Sequence, residues 1–239
     1  MIYIRELIND NNLELAQHYI DNFKKFNISL FRCDASQLKI PNDNTFFQHI
    51  HNKSISYCIM PEADLTKYIF DNVNITHTYF PDNCKLPDDT LLFQKIYNKN
   101  IYGTRLPIKN YNDYIFDNVY IKNCTFAEGS TLPNDKNFFK NIYNESIEGT
   151  YIPYGDYRNH FFENINLRNT IFNKNSLLPE YYTFLDELNE IQNCKLPTKT
   201  VENIHLFKVK TRDIKLLSLQ NLISIEQKYL IAKLNSTLL

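Results

Sequence analysis

The chain reads as an all-β solenoid closed by helical caps, and three features of the sequence carry that reading. Large apolar residues recur at every fifth position, a longer unit of 46 residues overlies them, and Asn or Gly repeatedly stands two residues after an apolar anchor. A step of five matches neither the helical period of 3.6 nor the strand period of two. It fits a chain that turns a corner after each short straight segment, sending every fifth side chain inward. Such coils stack on one another, and a stack of coils is a solenoid.

The first 25 residues form the N-terminal helical cap. Asn11 or Asn12 can cap a segment in which Leu13, Ala16, Tyr19, Ile20 and Phe23 follow the helical period. A cap is needed because an open end exposes both core and unpaired strand edges. The five-residue step is visible from Phe26 and Phe31, becomes regular at Ile50, Ile55, Met60 and Leu65, and fills residues 26–200. It runs through Phe70, Ile75 and Phe80, slips by one, and resumes with Leu86, Leu91, Ile96, Ile101, Leu106 and Tyr111. The longer unit shows in Pro41, Pro87, Pro133 and Pro179, which stand 46 apart, and again in Phe47, Phe93 and Phe139.

Two further positions sharpen the geometry. Asn52, Asn72, Asn98, Gly103, Asn118, Asn123, Asn144, Gly149, Asn164 and Asn169 each follow an anchor by two. Asn and Gly tolerate positive φ, which a sharp corner requires. Small residues precede an anchor by two at Ala63, Thr78, Cys84, Thr104, Cys124, Thr150, Thr170 and Cys194, where each can tuck beneath the larger side chain. The cysteines of this set read as packing residues, with Cys33 outside the pattern.

An apolar anchor, a small residue two before it and Asn or Gly two after it resemble the pentapeptide-repeat family, with Ala63-Asp64-Leu65 the best single copy. The resemblance implies a right-handed, quadrilateral β-helix with four five-residue steps per coil. Two such coils leave about six residues of each 46-residue unit over. Leu86–Phe93 and Leu132–Phe139 are the expected excursions, one helical turn or bulge protruding on the same side of every second coil. Pro at their start cannot donate to a ladder and suits a first helical turn.

From residue 201 to 239 the spacing changes to a helical one. Two roles suit this segment: a C-terminal cap, and homodimerisation through Leu219, Leu222, Ile223, Tyr229 and Leu230. Some pentapeptide-repeat proteins pair end to end, which the second role resembles.

Composition narrows the function. A net charge of −1 lacks the basic footprint of a nucleic-acid binder, so direct nucleic-acid binding is not expected. No apolar run is long enough to cross a bilayer, and the N-terminus lacks a secretion signal. A cytoplasmic location, or export by a signal-independent route, is the expectation. Five cysteines without paired spacing indicate neither a disulfide framework nor zinc. His49 and His51 find no third metal ligand, the four glycines form no phosphate loop, and no catalytic constellation stands out, so no enzyme activity, metal or cofactor is expected. Asp71, Asp117 and Glu163 recur at 46, but a catalytic pair is needed only once.

Aromatics in register suggest a protein-binding strip instead: Tyr68, Tyr114 and His160 in one row, Tyr97 and Tyr143 in another. The competing expectation is that they cover the wall beneath the excursions. The leading function is thus a non-enzymatic interaction module for a protein partner. The resemblance implies two alternatives. One is a DNA mimic acting on a topoisomerase, for which a net −4 over residues 61–200 is a weak acidic stripe. The other is a substrate-recognition domain similar to that of bacterial HECT-like ubiquitin-ligase effectors.

Overall fold

The computed structural model describes residues 1–179 and 194–197. Strand β1 (Ile2–Tyr3) leads into helices α1 (Ile4–Asn9) and α2 (Leu13–Asp21) and then strand β2 (Ile28–Ser29). Single-turn helices follow at α3 (Phe46–His49), α4 (Leu92–Lys95) and α5 (Phe138–Asn141). Each is succeeded by a 3₁₀ turn, at His51–Lys53, Tyr97–Lys99 and Tyr143–Glu145. Between and after them lie β3 (Arg105–Leu106), β4 (Thr125–Phe126), β5 (Tyr151–Ile152) and β6 (Ile171–Phe172).

This corrects the expected fold class. The described residues form a mixed, α/β-like architecture with one two-stranded sheet, β1-β2, and one four-stranded sheet, β3-β4-β5-β6, both parallel. It is not an all-β solenoid, and the right-handed quadrilateral β-helix goes with that reading. The physical reason lies in the corners and the excursions. A left-handed residue every few positions stops each strand after two residues, and the excursions close helical turns in place of extended chain. The N-terminal segment is also more than a helical cap, because β1 pairs with β2 through Ile2↔Ile28.

Parallel pairing nonetheless orders the chain into rungs. Isolated bridges extend the larger sheet from Asp34 through Ile59 and Tyr79 to Arg105, and from Ile171 to Lys195. From Ile59 to Ile171 the partners alternate between 20 and 26 residues apart, which sum to the 46-residue unit. The longer interval carries the helical turn.

Inward side chains form one continuous core. Ile55, Met60, Leu65, Phe70, Ile75, Phe80, Ile101, Leu106, Tyr111, Phe116, Ile121 and Phe126 are all buried. Phe26 is half-buried, and two expected anchors are exposed. Leu91 is 42% exposed, and Leu92 and Phe93 on α4 take its place; Phe31 is 38% exposed, with Leu30 buried beside it. The excursions therefore do not simply protrude, since each drives a pair of side chains inward: Phe46 with Phe47, Leu92 with Phe93, Phe138 with Phe139.

A second buried column locks each rung to the one before. The hydroxyls of Thr78, Thr104, Thr150 and Thr170 donate to the carbonyls of Ile55, Ile75, Ile121 and Ile147 at 2.7–2.8 Å. The Cys124 thiol does the same to Ile101, and Cys58 to Leu30. Each of these carbonyls already accepts the backbone amide three residues on, at its own corner, and the small donor from the next rung takes up the second lone pair.

A third column repeats at 46. Tyr68 and Tyr114 donate their hydroxyls to the carbonyls of Pro41 and Pro87, and His160 Nε2 donates to Pro133 at 3.0 Å. With Nε2 as donor, Nδ1 of His160 is a lone pair buried without a partner. Tyrosine at this position has no second polar atom to bury. His160→Tyr should therefore stabilise the protein by about 1 kcal/mol, raising Tm by roughly 2–4 °C in a calorimetric scan. A lower Tm would contradict the assignment.

Candidate functional site

Side chains at one corner column meet directly, because parallel rungs lie about 4.8 Å apart. That column runs Arg32, Tyr57, His77, Gly103, Asn123, Gly149 and Asn169, and every member has positive φ. The ten Asn and Gly corner positions read from the sequence are all left-handed. Arg32, Tyr57 and His77 occupy the same conformation, at φ of 55, 59 and 55°. For a bulky side chain that backbone is disfavoured by about 1–2 kcal/mol. Strain of this kind persists where the surrounding structure enforces it, and it clusters at functional positions.

What the strain positions is a row of rings. Phe31 meets Tyr57 edge-on at 5.9 Å, and Tyr57 stacks on His77 at 4.2 Å with the planes 13° apart. His77 meets Tyr102 edge-on at 4.9 Å; Tyr102 stacks on Tyr120 at 5.6 Å; Tyr120 meets Tyr143 at 5.5 Å. Six rings thus touch in sequence across one face of the stack. The Arg32 guanidinium lies 5.2 and 5.3 Å from Phe31 and Tyr57, and the Lys122 amine 6.0 Å from Tyr120. Phe31, Tyr57 and Tyr143 are well exposed, so the row is a surface and not a core. Asn123 fixes one ring by donating its amide to the Tyr102 hydroxyl at 2.8 Å.

The sequence-derived strip divides. Tyr97 and Tyr143 are exposed, on the 3₁₀ turns. Tyr114 and His160 are buried, and Tyr68 is partly buried, all three spent on the proline carbonyls. They cover the wall at the excursions and are not an outward row, because their polar tips reach 27 residues back to a carbonyl. Leu219, Leu222, Ile223, Tyr229 and Leu230 lie outside the described residues. Phe31 is an expected inward anchor that faces outward instead, and Tyr57, His77, Tyr102 and Tyr120, absent from the sequence-derived strip, left one signal. Tyr57 and His77 follow Ile55 and Ile75 by two, where other rungs carry Asn or Gly.

Candidate chemistry elsewhere is spent on structure. Asp71, Asp117 and Glu163 are all exposed, and Glu163 pairs with Lys140 at 2.9 Å. At the matching positions Gln48 and Gln94 donate to the Asp71 and Asp117 carbonyls instead. The His49 ring contacts the Thr45 carbonyl at 2.9 Å, and no group of three metal-ligating side chains occurs among the described residues. All five cysteines are free and buried. Cys33 takes the small-residue position of its rung after all, 1% exposed and two residues before buried Ala35. Burial pushes the thiols up, Cys84 to about 11 and Cys58 to about 12, with Cys33 raised further by its neighbours Cys58 and Asp34. A nucleophilic cysteine needs the opposite shift and access to solvent. No helix among the described residues is long and apolar enough to cross a membrane.

Comparison with protein-family models, curated proteins and solved structures gives no match to this chain.

Gly103 reports on the row. A Cβ there would overlap the His77 imidazole, and its φ of +69° disfavours alanine in any case. Gly103→Ala should cost more than the roughly 1–2 kcal/mol of a left-handed alanine. In a His77→Ala background the excess should vanish, as read by urea unfolding of the four proteins in the cycle. Equal costs in both backgrounds would show that the ring does not lie over Gly103.

Proposed function

We propose that the protein is an interaction module whose row of rings, from Phe31 to Tyr143, is the surface that meets a protein partner. The observation that carries this is the strained backbone at Tyr57 and His77, kept where asparagine or glycine would relieve it. A purely structural corner gains nothing from these side chains, whereas an exposed aromatic face does. Tyrosine and arginine supply contact area at small entropic cost and are enriched where partners bind. The stack supplies rigidity: each ring is held by its neighbours in contact, so little ordering remains to be done on association.

Nothing comparable favours an acidic DNA-like surface. Carboxylates on the stack are met by cations, Asp64 by Lys85, Asp82 by Arg105, Asp88 by Lys109 and Glu148 by Lys122. An uninterrupted stripe of negative charge is what mimicry would need.

The reading separates binding from stability. Replacing His77 by Asn relieves the corner and removes the ring, so His77→Asn combined with Tyr102→Ala should leave a folded protein that has lost its partner. Quantitative mass spectrometry of material retained from host lysate checks this, with Tyr154→Ala, exposed and outside the row, as the control. A protein held by wild type and control but at least about tenfold depleted on the double variant, a loss of about 1.4 kcal/mol, is the expected result. Retention indifferent to the row, or no protein retained at all, would contradict it.

A further inference from the structure

The cleft at the N-terminal end of the row has a chemistry of its own. Its volume is about 590 Å³, in the range of small-ligand sites. Three aromatic residues contribute to it: Tyr3 on β1, Phe31 after β2, and Tyr97 on a 3₁₀ turn. Tyr3 and Tyr97 are 37 and 45% exposed. Among the described residues neither side chain has a ring or hydrogen-bond partner, which sets them apart from the rings of the row. Between the aromatics the lining is polar, with Ser54 and Ser56 on one rung and Asn74 on the next.

The hydrogen-bonding capacity there is only part-used. Asn74 Oδ1 accepts from the Thr76 amide and hydroxyl at 3.1 and 2.9 Å, which leaves its NH₂ group without an acceptor among the described residues. The two serine hydroxyls bond each other at 2.9 Å and Ser54 Oγ also accepts the Ser56 amide at 3.3 Å, so one O–H donor and two acceptor sites remain between them. The side chains of His51 and Asn52, also in the lining, make no hydrogen bond among the described residues. No Asp, Glu, Lys or Arg side chain lines the cleft.

These features select a ligand class. A cation would give up hydration with no carboxylate to receive it, and beside Met1 the lining offers an anion no Lys or Arg side chain. An added peptide strand finds no free edge, because Ile55 already donates to the Asn74 carbonyl and Asn74 to that of Lys53. A ligand that offers apolar C–H faces to the phenol rings and hydroxyls to amides and serines, with no net charge, meets every condition. A sugar ring is such a molecule.

We propose that this cleft binds a short, neutral saccharide, with Tyr97 stacking against a ring face and Asn74 and Asn52 hydrogen-bonding its hydroxyls. The sugar is either free or the end of a glycan on a larger partner. The site shares only Phe31 with the row, and Tyr97 and Asn74 lie outside it, so either reading can fail without the other.

Saturation-transfer NMR with the full chain tests it, using the uncharged methyl glycosides of glucose, galactose, mannose, fucose and N-acetylglucosamine. An array of neutral, sialylated and sulfated glycans provides the second arm. At least one neutral sugar should receive saturation on its C–H protons or bind on the array, without weakening in raised salt. Tyr97→Ala should reduce that binding about tenfold while Tm is kept, and Asn74→Ala should weaken it as well. Signal from the free glycosides identifies the free sugar as a ligand; signal confined to the array identifies a glycan end. Absence of neutral-sugar binding in both arms, binding restricted to charged glycans, or binding unchanged by Tyr97→Ala would overturn the proposal.

Discussion

Parallel register between successive rungs is the constraint from which the rest of this structure follows. Equivalent positions of neighbouring rungs come into contact, so each side chain answers to the one above and the one below. The donor column shows it inside, where a threonine or cysteine on one rung satisfies a carbonyl of the rung before. The corners show it outside. His77 lies where only a glycine fits at 103, and the Asn123 amide where only a glycine fits at 149. Exchange follows the same rule: Gln48 and Gln94 reach backbone carbonyls, whereas Lys140 faces a glutamate and pairs with it.

That constraint explains why side-chain identity varies at the corners. The core admits little variation, because an inward side chain of the wrong size disturbs two rungs at once. Corner side chains are free of the core yet still fixed by their neighbours in contact. Tyr57 and His77 use this freedom at the expense of a left-handed backbone, and the rings they add continue through Tyr102 and Tyr120 to Tyr143. A rigid row of exposed rings results from local strain and vertical contact together.

Residue pattern carried the local geometry further than it carried the fold class. Left-handed corners were legible because Asn and Gly mark them by their own conformational freedom, and the inward anchors because apolar bulk repeats at five. The all-β assignment failed because a step of five measures how often the chain turns, not how long it stays extended. Two-residue strands and single-turn helices satisfy the same spacing. Leu91 illustrates the gap: it keeps the step but faces solvent, since α4 rotates Leu92 and Phe93 inward. Of the exposed aromatics, only Tyr97 and Tyr143 were legible in the sequence as outward rings. Tyr114 and His160 resemble them in register, and what separates the two sets is a hydrogen bond to a proline carbonyl 27 residues back. Such a contact depends on the stacking interval, which alternates. The cysteine at 33 falls outside the expected pattern because Leu30 and Ala35 face inward there in place of Phe31.

Contact between the corner side chains of adjacent rungs is the claim on which both the architecture and the site depend. Proton NMR of the folded protein tests it most directly, through the Hα resonances of Gly103 and the ring protons of Tyr57 and His77. The account predicts cross-peaks from the His77 ring to both Tyr57 and Gly103, with the Gly103 resonances displaced by the ring above them. Absence of those cross-peaks, with Gly103 at ordinary coil shifts, would contradict it.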